Sequence, residues 1–441
     1  MSAHYDLIIR GGACVLPWGI EHTSVGVRHG RIAALGVGPD AEAPETIDAR
    51  GLHVLPGMID PHVHLRDPGD GTAESTGTGT RAAVLGGITA VFDMPNTRPS
   101  LTDAEALDRR RRTVEAEAWC DVGLYVGASR QNIGALAELE SEAGVCSIKV
   151  FAGSSTGDLL IEDDATLERV MLCGHRRISY HAEDEYRLRE RRALFSTGEP
   201  YARHAEWRDA EVAFSATRRI VALAERTGRP AHLLHLSTAE EFAYLRDHRD
   251  IVSCEVVVGH LTLVAPECYE RLGGYAVMNP PIRTEEHRQA AWAAVRDGTV
   301  DTIGSDHAPH PRATKEKPWP ECRSGLPGVQ TLLPVMLDHV NAGRLSLQRL
   351  VDLMSAGPAR VYGLLGKGRL AVGFEADFTL VDLRRRRRIE SAWIASACGW
   401  NPYEGMDVTG WPVATIVRGR VAMRDDEVLG VPSGRLLRFA G

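Results

Sequence analysis

No run in this sequence approaches the roughly 18 consecutive apolar residues of a membrane-spanning helix. Met1 to Arg10 holds no basic region followed by a long apolar core. Membrane and secretory readings therefore lack support, and the expectation is a cytoplasmic protein. No Cys-x-x-Cys pair occurs among the eight cysteines (Cys14, Cys120, Cys146, Cys173, Cys254, Cys268, Cys322 and Cys398). Their scatter argues for reduced, buried thiols rather than a disulfide framework. An excess of positive charge is also missing. The formal net charge is −8, which argues against a nucleic-acid partner. Internal repeats and low-complexity segments are absent. What remains is ordinary: 441 residues, 44% apolar and 25% charged, enough for a large core.

Both ends read as short strands with glycine turns. Tyr5–Ile9 precedes Gly11-Gly12, and Ser24–Val27 leads to Gly30. Ala376–Asp382 and Val413–Val417 repeat the pattern near the other end. Residues 1–55 and 366–441 are thus expected to build one small β-sandwich domain from both termini. Between them, residues 56–365 alternate strands with amphipathic helices such as Asp209–Thr227 and Glu285–Arg296. Eight apolar strand cores end, in order, at His62/His64, at Asn96, near Ala128, at Phe151, at His181, at His235, at Gly259-His260 and at Asp306. That pattern predicts an α/β fold, a (β/α)8 TIM-like barrel, whose chemistry sits at the carboxyl ends of the strands. Arg109–Arg112 reads as a solvated helix face, and Arg384–Arg388 as a surface loop.

The predicted strand ends carry a coherent set of side chains. In Asp60-Pro61-His62-Val63-His64-Leu65-Arg66-Asp67-Pro68, His62 and His64 share a strand face, and Arg66 follows on the same side. Two converging imidazoles suit zinc or a similar borderline metal. His181 closes the fifth strand, His235 the sixth and Asp306 the eighth. Four histidines and one aspartate are good ligands for two divalent ions, which also need a bridging anion. Lys149 lies between Ile148 and Val150, where a plain buried lysine is costly. Reaction with CO₂ would make it a bidentate carbamate able to bridge metals about 3.5–4 Å apart. Each residue alone has a plainer account. His235 could be a satisfied core residue, His181 a salt-bridged surface residue beside Glu183, and Asp306 a turn cap. Their joint placement on one rim argues against those accounts. His4, His22, His29, His175, His204, His248, His287 and His339 read as ordinary histidines.

These motifs together resemble the dihydroorotase family of the amidohydrolase superfamily. The first match is Asp60–Pro68. The second is Gly304-Ser305-Asp306-His307-Ala308-Pro309-His310, with Lys315 after four further residues. Met94-Pro95-Asn96-Thr97, Asn279-Pro280-Pro281-Ile282-Arg283 and His235-Leu236-Ser237 match as well, so the likeness spans essentially the whole chain. It implies His62, His64 and Asp306 on the more buried metal, and His181 and His235 on the other. Carboxylated Lys149 would bridge two divalent ions, Zn²⁺ first among them. The implied reaction is reversible closure of N-carbamoyl-L-aspartate to dihydroorotate, in de novo pyrimidine biosynthesis. Hydrolysis would start from a metal-bridging hydroxide, with Asp306 moving the proton. Arg66, Asn96 and His310 would grip the substrate carboxylate, while Asn279, Ser324 and Gly325 contact the ring. Relatives imply a dimer or tetramer and leave room for association with aspartate transcarbamoylase. One departure is visible: Gly259 precedes His260 where relatives often carry two histidines, and His260 is read as structural. The rivals are an allantoinase or hydantoinase and, from another class, an inactive scaffold subunit.

Overall fold

The computed structural model describes residues 4–69, 71–155 and 157–440. Eight parallel strands form the central sheet: Met58–Val63, Ile88–Asp93, Asp121–Gly127, Val145–Phe151, Ile178–His181, Ala231–Leu233, Val252–Val257 and Thr302–Gly304. Each pairs with its sequence neighbour. The last returns to the first through His307: His64 N–H donates to His307 O at 2.8 Å, and His307 N–H to His62 O at 3.3 Å. The nearly closed barrel is TIM-like.

Strand alternation decides what the barrel holds. In Val145–Phe151, Ile148 and Val150 join the core beneath the helices. Lys149 and Phe151, on the opposite face, line an internal cavity. The helices follow the predicted pattern. Ala210–Thr227 is capped by Asp209, whose side chain accepts from Val212 N–H, and it ends at left-handed Gly228.

The terminal strands make a second, mixed sheet of nine strands. His53–Pro56 is its seam. It runs parallel to Leu7–Leu16 on one side and antiparallel to Phe378–Arg388 on the other. Ile9, Val25, Val54, Phe378 and Ile416 share one buried cluster.

The arginine run 384–388 is not a loop: it completes strand Phe378–Arg388. Carboxylates on nearby strands and turns explain this. Arg387 pairs with Asp426 and Arg388 with Asp407, each at 2.8 Å. The reading of Arg109–Arg112 as a solvated face fails at Arg110. That side chain is fully buried, and its Nε donates to Asp93 Oδ2 at 2.8 Å. Asp93 in turn accepts from Leu65 N–H at 2.9 Å, bracing the link between His64 and Arg66. The eight thiols are unpaired, and all but the half-buried Cys173 are buried.

Two features tie the second sheet to the barrel. After strand Phe378–Arg388 the chain leaves the sheet and crosses to the barrel before returning at Asp407. On the way, Ser396 Oγ donates to Glu74, and Gln330 Nε2 donates to Trp393 O at 2.7 Å. At the opposite end of the barrel, the carboxylates of Asp121, Glu375 and Asp377 converge as if around a cation. Lys367 Nζ takes that place, 2.8 Å from Asp121 and from Glu375 and close to Asp377. Burial alone would lower the Lys367 pKa, but the three carboxylates raise it above the usual lysine value. Arg418 also pairs with Asp121, but Lys367→Met would leave the buried Asp377 carboxylate without an ion-pair partner among the described residues, an expected loss of about 3–5 kcal/mol. The check is the denaturant midpoint, and an unchanged midpoint would contradict this account.

Candidate active site

The polar side chains at the strand tips meet in one cavity. His62, His64, Lys149, His181, His235 and Asp306 all line it, with Arg66, Asn96, Asn279, Ser324 and Gly325 around them. His310 stands one step away. It lines an adjoining cavity with Arg66, Asn96, Arg98 and Arg323, and its Nε2 lies 3.0 Å from Ser324 O.

Backbone conformation aims three of these residues. Arg66, His235 and Asp306 have φ of 59°, 40° and 46°. Left-handed values are unfavourable for side chains with a Cβ, and such strain gathers at working sites. Here the chain turns out of each strand as the side chain turns in.

Hydrogen bonds fix which nitrogen faces the cavity in three of the four histidine rings. His62 Nδ1 lies 2.7 Å from Glu255 Oε1, and His64 Nδ1 lies 2.7 Å from Asn96 Oδ1. His181 Nε2 lies 2.9 Å from Glu183 Oε2. Each acceptor holds a proton on its side of the ring and leaves a lone pair on the other. The inward nitrogens then crowd together. His62 Nε2 and His64 Nε2 lie 3.2 and 3.1 Å from Asp306 Oδ1. His181 Nδ1 and His235 Nε2 are 2.9 Å apart.

Burial keeps three of these histidines neutral. It lowers His64 to about 3 and moves His181 down and His235 well below the ordinary value. Burial opposes charge on Asp306 too, but the surrounding imidazoles hold its carboxyl well below the carboxylate range. Neutral imidazoles and an ionised carboxylate are the forms that bind a divalent ion. Lone pairs converging at these distances repel unless a cation lies between them. His62, His235 and Asp306 already offer ligand atoms within 4.8 Å of one another. The donor set therefore fits a metal centre.

Lys149 is buried, with Nζ 4.6 Å from the Phe151 ring centroid. Burial brings its amine down to about 7. No hydrogen bond to Nζ is present among the described residues.

Residues 53–422 match the Amidohydrolase family. The chain belongs to that family. A dihydroorotase from Methanosarcina acetivorans is 34% identical over 431 residues, covering 94% of this chain and 91% of that one. An allantoinase from Rubrobacter xylanophilus is 36% identical over 459 residues, covering 99% and 98%. Among solved structures, the L-hydantoinase (dihydropyrimidinase) from Arthrobacter aurescens superposes with a TM-score of 0.93 at 29% identity, covering 98% and 99%.

Several residues of this amidohydrolase site were not anticipated. Glu255 backs His62 and also accepts from His235 N–H at 3.2 Å. A lone acid in the apolar strand Val252–Val257 was the available signal. Glu183, noted only as a surface partner for His181, is fully buried and held by Arg208. Nothing local marks Arg208. His204, read as ordinary, lies 3.0 Å from Asn279 Oδ1 and so orients that side chain. His260 packs against Pro280 O and Pro281 O, 3.2 Å from each, away from the cavity. No described helix is long and apolar enough to cross a membrane.

Proposed function

We propose that this amidohydrolase acts on cyclic amides, and specifically that it is a dihydroorotase. It would interconvert N-carbamoyl-L-aspartate and dihydroorotate in pyrimidine biosynthesis. The observation that carries the reading is Arg66. Its guanidinium is about nine-tenths buried on the cavity wall, its Nε has no hydrogen-bond partner among the described residues, and its Nη2 lies 3.5 Å from His310 Nε2. A buried, underused guanidinium calls for a planar anion, and a carboxylate answers with two parallel hydrogen bonds. Dihydroorotate carries a carboxylate outside the reacting bond; hydantoin and allantoin carry none.

His62, His64 and Asp306 would hold one divalent ion, Zn²⁺ by our reading, and His181 and His235 a second. Lys149 would join them as its carbamate. An amine with a pKa of about 7 is substantially neutral near neutrality, and only the neutral form adds CO₂. Its N–C bond forms as a proton leaves. Such ions acidify water and polarise a carbonyl oxygen.

The remaining steps belong to the chain. Arg66, Asn96 and His310 seat the substrate carboxylate, and Asn279 with Ser324-Gly325 set the ring against the strand tips. In hydrolysis a C–O bond forms at the ring amide carbon and the C–N bond breaks. Asp306 accepts the water proton on a carboxylate oxygen and passes it to the departing nitrogen. Ring closure reverses each transfer, with Asp306 protonating the departing hydroxyl so that it leaves as water. The same reading has the enzyme in the cytoplasm as a dimer or tetramer, open to association with aspartate transcarbamoylase.

Turnover of dihydroorotate, allantoin and hydantoin by metal-loaded protein tests the proposal. Dihydroorotate is expected to be preferred. Arg66→Met should raise its KM about 100-fold, the scale for losing one partner of a buried charged pair, and should spare uncharged rings. Turnover of allantoin or hydantoin without dihydroorotate would overturn the reading.

A further inference from the structure

Lys315 closes the second sequence motif, yet the reaction gives it no task. It ends the short helix Arg312–Lys315, and its side chain is fully buried. Its Nζ donates to three backbone carbonyls: Val277 at 2.8 Å, Arg323 at 2.7 Å and Gly325 at 2.9 Å. They belong to two separate segments of the cavity lip. Val277 lies two residues before Asn279, while Arg323 and Gly325 flank Ser324. One ammonium thus ties together segments carrying three proposed substrate contacts.

The fit is chemically complete. An ammonium has three N–H donors, and three carbonyls saturate them. Burial brings this amine down to about 7, as at Lys149, but here three carbonyl acceptors, which Lys149 lacks, favour the charged form. A neutral amine has two and would leave one buried carbonyl unpaired. The surroundings are closed around this pin. The Trp400 ring centroid lies 5.7 Å from Nζ, and the same indole N–H donates to His310 O at 2.8 Å. Trp400 belongs to the excursion from the second sheet, so that sheet reaches the substrate lip. On another side, a Cβ at Gly274 would fall 2.0 Å from the Lys315 carbonyl oxygen, so the helix end is packed without slack.

We propose that Lys315 is a positioning residue. It sets the spacing between the Asn279 and Ser324-Gly325 segments and thereby governs how tightly the cyclic substrate is held, leaving the chemical step to the strand tips. Trp400 covers the pin and fixes His310 beside it. The inference rests on the reading above that these segments contact substrate.

The test compares metal-loaded Lys315→Met, Lys315→Arg and Trp400→Phe proteins with wild type, on whichever cyclic amide the wild type turns over. Lys315→Met should raise KM about tenfold or more, the consequence of buried carbonyls losing their donor. Its kcat should stay within about threefold, since the transition-state contacts remain, and its metal content should match wild type. Lys315→Arg, which keeps a cation and N–H donors, should recover part of the loss. Trp400→Phe should raise KM by a smaller factor. An unchanged KM in folded Lys315→Met, or a fall in kcat at unchanged KM, overturns the proposal. If Lys315→Met does not fold, unchanged KM in both other variants overturns it instead. Wild-type protein that opens allantoin but not dihydroorotate sinks the substrate assignment alone, because the KM comparison then runs on allantoin.

Discussion

Lys149→Ala is expected to reduce turnover by at least about 1,000-fold, because it removes the anion proposed to hold two cations together. The geometry leaves few substitutes. Lys149 is fully buried among His62, His64, His181, His235 and Asp306, and no other carboxylate than Asp306 lines the cavity among the described residues. A small carboxylate such as acetate, added to the variant, should restore a measurable fraction by occupying the vacated space. Wild-type protein prepared without CO₂ should be slow and recover on adding bicarbonate. NMR with isotope-labelled bicarbonate would detect the carbamate carbon directly. Full activity in the alanine variant, or an absent carbamate signal in active enzyme, would remove Lys149 from the mechanism.

The second large effect is expected from Asp306→Asn. Asparagine matches the aspartate in shape but accepts no proton. Positioned general bases contribute about 100- to 10,000-fold, so kcat should fall within that range. The fold should survive. Asp306 follows the last barrel strand, while closure of the barrel runs through backbone bonds of His62, His64 and His307 and through Asp60, which accepts from Ser305 N–H at 3.0 Å. Circular dichroism and metal analysis separate loss of the base from loss of structure or metal. A variant that keeps its metal and more than about a tenth of wild-type kcat would mean that another group carries the proton.

Much of the barrel was legible because strand periodicity is local. Short apolar cores ending in polar residues marked all eight strands, and apolar periodicity marked the helix Ala210–Thr227 within a residue of its ends. The strand ends were read too long where function intervenes. The sixth strand was expected to reach His235 and the eighth Asp306, but they stop at Leu233 and Gly304. The reason is the left-handed backbone at His235 and Asp306. No local rule assigns that conformation to a histidine or an aspartate flanked by ordinary residues. The arginine run at 384–388 failed as a loop for a related reason. Its strand is held by partners about 20 to 40 residues away, which charge counting along the chain does not see.

What the order of residues determined by itself was an inventory and a phase: which side chains bear the chemistry, and that each falls on one face near the end of a strand. Residue type and a two-residue period are enough for that. Only the tertiary structure decided the partnerships. Glu255 meets His62 across 193 positions, Arg208 reaches Glu183, and Lys315 gathers three carbonyls from two segments. These pairings exist because closure of the barrel makes the first and last strands neighbours and draws the intervening loops onto one rim. The chain alone states who is available to meet; the curvature of the sheet states who does.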